Sequence, residues 1–214
     1  MSKGDYIVLN TKNIKSTGGK KAPLLPPAMY PSRIAQILDL GIQERSPYNG
    51  TPKSPCNQMW VTYELVDEFM PDADGNEDKE KPRWISERLN VFSMDVENAK
   101  STKRMLSIDP AGAFDGDWSR VLDLPVLLQI VNRESKGIMY ENVGGVTPTM
   151  KGQVVAELVN PPKLFDFDNP SQEVFDSLPD FLKDIINKGV DDNGYPVNFA
   201  VRHTAIVEDD EAPF

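Results

Sequence analysis

Two runs of strict alternation, Gln58–Val66 and Arg83–Phe92, constrain what this chain can fold into more than any other feature. In the first, Met59, Val61, Tyr63 and Leu65 fall on one face and Trp60, Thr62 and Glu64 on the other. In the second, Ile85, Glu87, Leu89 and Val91 oppose Trp84, Ser86, Arg88 and Asn90. A period of two marks a strand with one buried face. The segment between them, 67–80, carries seven acids against Lys79 and reads as the flexible tip of a long hairpin. Its Asp72, Asp74, Asn76 spacing resembles a calcium loop only superficially, since Glu77 stands where glycine is required and Arg83 where the closing glutamate belongs.

The remaining elements arrange themselves around this hairpin. Arg33–Gln43 fits a long first strand whose change of phase near Asp39–Gly41 calls for a bulge. Pro47, Gly50, Pro52 and Pro55 make 44–57 a loop, in which Arg45, Tyr48 and Lys53 form a candidate nucleic-acid contact set. Asp95–Ser107 reads as a short helix with Val96, Ala99, Lys103 and Leu106 near helical spacing and Lys100, Lys103 and Arg104 filling its outer side. Leu124–Val131 is almost wholly apolar, which predicts burial on both faces, and the turn-like Asn132–Gly137 joins it to a further strand, Ile138–Val146. Five strands with one short helix between the third and fourth describe a mainly β chain, a Greek-key barrel of the OB type. Beyond it, Ser171–Lys188 has an amphipathic helical pattern that Pro179 should kink or split and Gly189 should stop. Asp191–Gly194 reads as a turn and Asn198–Ile206 as a last extended segment.

At 214 residues and 39 % hydrophobic content the chain suits one domain with a single core. The formal net charge of −10 is unevenly placed. Residues 1–29 carry Lys3, Lys12, Lys15, Lys20 and Lys21 against Asp5, a basic flexible arm. Segment 67–80 and the last seven residues hold the excess of acid, and without them the chain is neutral. Net charge therefore says little about any binding face. One cysteine, Cys56, and one histidine, His203, exclude an intramolecular disulfide and a Cys/His zinc cluster, so neither metal nor cofactor is expected. No apolar run nears the roughly 20 residues of a membrane span, and the N-terminus lacks a signal-peptide core; a soluble, cytoplasmic protein is expected. Gly18-Gly19-Lys20 lacks the spacing, the following hydroxyl and the preceding strand of a phosphate loop. With no nucleophile elbow or metal-ligand cluster either, an enzyme is not expected.

The chain ends in Glu208, Asp209, Asp210, Glu211, Ala212, Pro213 and Phe214. Such a segment cannot pack alone, but it suits capture by a partner with a small apolar pocket and a basic rim. Acid-rich tails ending in Pro-Phe resemble those of bacterial and bacteriophage single-stranded DNA-binding proteins. The run LPVLLQIVNRESKGIMYENVGGVTPTMKG, followed by LVNPPKLFDFDNP and LPDFLKDIINKG, is similar to a phage family of such proteins with an OB-fold. The family's Leu-Pro strand, its Tyr-x-Asn-(Val/Ile) hairpin, Pro-x-x-Lys-Gly turn, Asn-Pro-Pro segment and Leu-Pro-x-(Trp/Phe)-Leu helix follow in that order over Leu124–Gly189, while residues 30–108 fit only in strand order. The family's cysteine after Leu-Pro is Val126 here and its helix tryptophan is Phe181, both read as core substitutions.

The resemblance implies three parts: a basic arm over 1–29, an OB-fold domain with a helical extension over 30–207, and a disordered partner-binding tail over 208–214. It implies sequence-independent coating of single-stranded DNA in phage replication, recombination and repair, within the host cell cytoplasm. The tail would recruit replication proteins such as polymerase, primase or helicase and compete with DNA for the basic groove, and self-association is compatible with all of this. In such folds bases stack on aromatic side chains while cations track the phosphates. Trp60, Tyr63, Trp84, Tyr140 and Tyr48 are the candidate stacking residues, Tyr63 leaning toward the core because it shares a face with Met59, Val61 and Leu65. Arg33, Arg83, Arg88, Lys151 and Lys53 are the candidate phosphate contacts. A strand-annealing recombination protein would use similar features, and an acidic module that binds only proteins as a DNA mimic would need no groove.

Overall fold

A computed structural model of the protein describes residues 22–194 and 196. The tail 208–214, the final extended segment expected over 198–206 and most of the basic arm lie outside the described residues. Five strands form the barrel: β1 (Ala28–Tyr48), β2 (Thr51–Pro71), β3 (Glu77–Asn90), β4 (Pro125–Ser135) and β5 (Ile138–Pro148). Their hydrogen-bonded order is β3-β2-β1-β4-β5, and the helix α1 (Lys100–Ile108) lies between β3 and β4 in sequence. This is the Greek-key order of the OB-fold. A short strand, β6 (Lys163–Phe165), pairs in parallel with β1, and two helices follow, α2 (Gln172–Asp176) and α3 (Asp180–Ile186).

β1 organises the sheet. Its first part pairs with β4, from Ala28 opposite Ile130 to Arg33 opposite Pro125, and its next part with β6 at Gln36–Leu38, while its other edge runs along β2. The strand changes neighbours where its pairing with β2 shifts, between Ile34 and Gln36, and it shifts again between Asp39 and Ile42, at the expected bulge. Bulges sharpen twist, which lets one long strand curve through most of a barrel. β3 and β5 end the order and are joined through side chains. Arg83 of β3 meets Glu141 of β5 at 2.6 Å. Arg104 of α1 spans the same seam, donating to Glu87 at 2.8 Å and to the Val143 carbonyl at 3.2 Å.

The interior holds Ile34, Val61, Tyr63, Leu65, Leu89, Met105, Val126, Leu128 and Ile130 among others, so the alternation in β2 assigned its inward face correctly. A second cluster lies outside the barrel, where Leu38 and Leu40 of β1 pack against Phe165, Phe167, Leu178, Leu182 and Ile186. That layer changes several expectations. Thr62 and Glu64 are buried although they face outward: Val159 and Asn160 close over Glu64, Phe181 of α3 covers Trp60 beside them, and the Thr62 hydroxyl is held between Gln36 and Ser86. In β4 the opposite holds: Val126, Leu128 and Ile130 are buried but Gln129 is exposed, so this strand alternates rather than being buried on both faces.

The expected loop over 44–57 is a hairpin. Tyr48 pairs with Thr51 across Asn49 and Gly50, both at positive φ (49° and 79°), the conformation that an Asn-Gly turn supplies. The prolines are accommodated because this arm is exposed and its pairing is broken by register shifts. The acidic segment likewise continues as strand on both sides, and its turn is ordered: Asp72 Oδ1 accepts the backbone N–H groups of Asp74, Gly75 and Asn76. Residues 22–27, read as part of a loose arm, are held down. Leu25 is buried, its N–H donates to Glu141 at 2.6 Å, and Arg83 donates to the Pro23 carbonyl at 2.7 Å. In α1, Arg104 turns inward to Glu87 and Leu106 is exposed, the reverse of the expected faces. Pro179 does split the C-terminal helix, ending α2 and serving as the N-cap of α3.

Candidate nucleic-acid interface

The outer row of the β2–β3 hairpin is read from its register: Gln58 lies opposite Asn90, Trp60 opposite Arg88, Thr62 opposite Ser86 and Glu64 opposite Trp84. Directly opposed residues share a face, so these eight side chains form two parallel lanes on the outside of the barrel. The β2 lane is roofed at Trp60, where Phe181 of α3 meets the indole edge-on with ring centroids 5.7 Å apart. Phe181 is itself 52 % exposed, which corrects its reading as a core residue. The β3 lane stays open from Trp84 to Asn90 apart from half-buried Ser86.

Of the five aromatic candidates, Trp84 and Tyr140 converge. Trp84 is 41 % exposed and Tyr140 of β5 is 44 % exposed; together with Leu24, Ser86 and Met139 they line a hollow of about 220 Å³ over the β3–β5 seam. Trp84 is fixed by its indole N–H, which donates to Glu64 Oε2 at 2.8 Å. Tyr63 is excluded: it is fully buried and its hydroxyl donates to Glu87 at 3.0 Å, with burial and the neighbouring carboxylate pushing the phenol well above its ordinary range. Tyr48 stands at the tip of the β1–β2 hairpin, 64 % exposed, with the Lys53 ammonium 4.7 Å from its ring centroid.

The cation candidates separate in the same way. Arg33 is a structural clamp, its guanidinium donating to the carbonyls of Asp123 and Ala156, each at 2.7 Å, and pairing with the Asp123 carboxylate at 3.2 Å. Arg83 is buried against Glu141 and Pro23, so it closes the barrel rather than facing a ligand. Lys151 is exposed in the turn after β5, apart from the hollows along β3. Arg88 lies at the centre. It lines a hollow of about 310 Å³ with Arg45, Lys53, Gln58 and Asn90, and also a second one of about 480 Å³ with Ser86, Lys100, Arg133 and Asn142. Because Ser86 also lines the Trp84–Tyr140 hollow, the three depressions share walls and follow β3 from the β1–β2 hairpin to the β4–β5 hairpin.

Of the three acids that line this path, two are compensated and the third, Glu44 of the first hollow, is exposed. Glu87 lies beneath the middle hollow, neutralised by Arg104 at 2.8 Å and by Lys100 at 2.7 Å, and Glu141 is held by Arg83. Partial desolvation lowers the pKa of Arg88 from its ordinary value, yet an arginine stays charged. Lys100 and Arg133 are additions to the sequence-based candidates. Arg133 was within reach: β4 and β5 are joined by Lys136 and Gly137, both at positive φ, and counting back from that two-residue turn pairs Arg133 with Tyr140. Lys100 offered no such signal, because its place depends on a long-range pairing with Glu87.

Among the described residues no group of three or more His, Cys, Asp or Glu is placed to hold a metal ion, and no helix is long and apolar enough to cross a membrane. No family model matches the chain, and no solved structure matches it. It is similar to dynein axonemal heavy chain 12 of Homo sapiens, at 25 % identity over 153 residues. That similarity covers 65 % of this chain but 5 % of the heavy chain, so it concerns a small piece of a far longer protein.

Proposed function

We propose that this protein binds single-stranded nucleic acid, DNA in the first instance, without marked sequence preference and without catalysis. The observation that carries the reading is the continuity of the path along β3, where Arg45, Lys53, Arg88, Lys100 and Arg133 accompany two half-exposed aromatic rings over an OB-type barrel. Cations spaced along a groove follow a phosphate backbone, and aromatic faces accept any base, a combination that favours single strands whose bases are free to stack. A duplex keeps its bases stacked inside and has no use for Trp84 or Tyr140.

The sequence resemblance to phage single-stranded DNA-binding proteins supports the same reading, and with it a role in replication, recombination or repair. On that reading the acidic tail ending in Phe214 is the hook for replication enzymes, its acids steering the encounter and its ring anchoring it. Titrating the protein into a fluorescent oligo-dT at low salt tests the function directly. Saturable binding that single-stranded competitor removes, and duplex of the same length removes poorly, is the expected result. Absence of binding at low salt would eliminate the reading.

A further inference from the structure

Glu64 presents a problem that folding alone does not explain. It is fully buried on the outer face of β2, and among the described residues no cation pairs with it. An uncompensated buried carboxylate is costly, and it persists where several fixed donors converge on it. Three do so here. Its Oε1 accepts the Val159 backbone N–H at 2.6 Å, while its Oε2 accepts Asn160 Nδ2 at 3.1 Å and the Trp84 indole N–H at 2.8 Å. Two of these donors belong to the segment that precedes β6, and the third belongs to the ring that walls the groove.

We propose that Glu64 is a positioning residue for nucleic-acid binding, holding the indole of Trp84 so that one ring face stays turned toward the hollow it shares with Tyr140. This inference rests on the single-strand-binding reading above. Glu64 and Trp84 are direct cross-strand partners, so the N–H is drawn back toward the sheet and rotation of the ring about its own axis is blocked. A free indole at 41 % exposure would sample several rotamers and lose that freedom each time a base stacked on it. Fixing the ring beforehand removes that loss from the binding step. Val159 and Asn160 hold the carboxylate from the other side, leaving Glu64 little room to follow the ring.

Two measurements test this. In the free wild-type protein, ¹⁵N relaxation of the Trp84 indole should give an order parameter near that of rigid backbone, about 0.85; a value of about 0.6 or below would overturn the proposal whatever any variant does. The second is a cycle of Glu64→Met and Trp84→Phe read by oligo-dT affinity. Each single change should weaken binding by about 2- to 10-fold, the size of one lost hydrogen bond, and the double change should weaken it no further than the stronger single. If the two effects multiply instead, Glu64 acts through the fold and not through the indole. If Glu64→Met does not fold, the order parameter decides. Wild-type protein that fails to bind oligo-dT removes the functional reading and the proposal together, whereas wild-type binding with independent effects removes the proposal alone.

Discussion

Trp84 is the residue on which the stacking reading can be judged by itself, because it contributes a partly open ring to the groove and little to the interior. Trp84→Ala should weaken single-strand binding by about 1 to 3 kcal/mol; it also leaves the buried Glu64 one donor short, so the melting temperature should fall modestly as well. A large loss of stability with unchanged affinity would place its role in the fold. Asp39 gives a prediction of another kind, in pH. Burial, helped by the nearby Asp168 and Asp166 charges, raises its pKa above the usual 3.8, and the Gly41 N–H, donated at 2.9 Å, only partly opposes this. A raised pKa means that the folded state holds the proton more tightly than the unfolded chain. The stabilisation is complete below about pH 3.8 and is lost as pH rises through the elevated value. Asp39→Asn keeps an oxygen for the Gly41 N–H and cannot ionise, so it should be more stable than wild type at neutral pH, with the difference fading toward pH 3.8. Denaturant titrations at both ends of that range check the sign. At this scale the sequence was informative about direction and blind to partners. Alternation put Tyr63 with the core residues, but nothing in the chain shows that Arg33 is engaged by the carbonyls of Ala156 and Asp123, or Arg83 by Glu141.

The elements were legible wherever local chemistry decides them. The period of two located β2 and β3, the phase change near Asp39 located the bulge, and Pro179 split the last helix. The misreading of 44–57 as a loop weighed three prolines above one Asn-Gly pair, although an exposed, twisted arm tolerates proline and the pair dictates a two-residue turn. What stayed hidden was the second layer. Leu38 and Leu40 look like ordinary strand residues, and only the docking of α3 and β6 explains why the outer side of β1 is apolar. Gly189 reports how close that docking is. Its N–H caps the end of α3, and a Cβ added there would lie 2.4 Å from the Leu40 carbonyl oxygen and 3.0 Å from the ring of Phe167. Gly189→Ala should therefore lift the helical layer from β1 and cost about 1 to 3 kcal/mol of stability. The same Cβ would lie 2.8 Å from Gln43 Nε2, and Gln43 Oε1 accepts from Arg88 at 3.3 Å, so the groove is touched through one side chain and oligo-dT affinity should change less than stability does. An equal loss of both would mean that the layer shapes the groove as well as covering β1.

For the molecule as a whole the proposed function requires a chain of net charge −10 to attract a polyanion. Five cations, Arg45, Lys53, Arg88, Lys100 and Arg133, come from four strands (β1 to β4) and the helix α1; Arg45 and Lys53 reach Arg88 from the β1–β2 hairpin, and Arg133 joins them because the β4–β5 hairpin meets β3 at the seam. No pattern in the sequence could show that convergence. If most of them displace counterions, log affinity should fall linearly with log salt, with a slope of roughly 2 to 3.5 at about 0.7 per neutralised phosphate. A flat response would mean that phosphates do not lie along this path. The acids of Glu208–Glu211 belong to the same balance, because a tethered polyanion has a high effective concentration near the domain that carries it. Deleting 208–214 should tighten DNA binding, and most at low salt, since both competition and long-range repulsion are screened as ions are added. Phe214→Ala keeps every acid, so DNA affinity should hardly move while capture by a replication partner weakens through loss of the apolar anchor. Measuring the two variants side by side separates an electrostatic competitor from a partner hook. Weaker DNA binding after deletion, at every salt concentration, would instead mean that the tail contributes to the DNA-binding form of the protein.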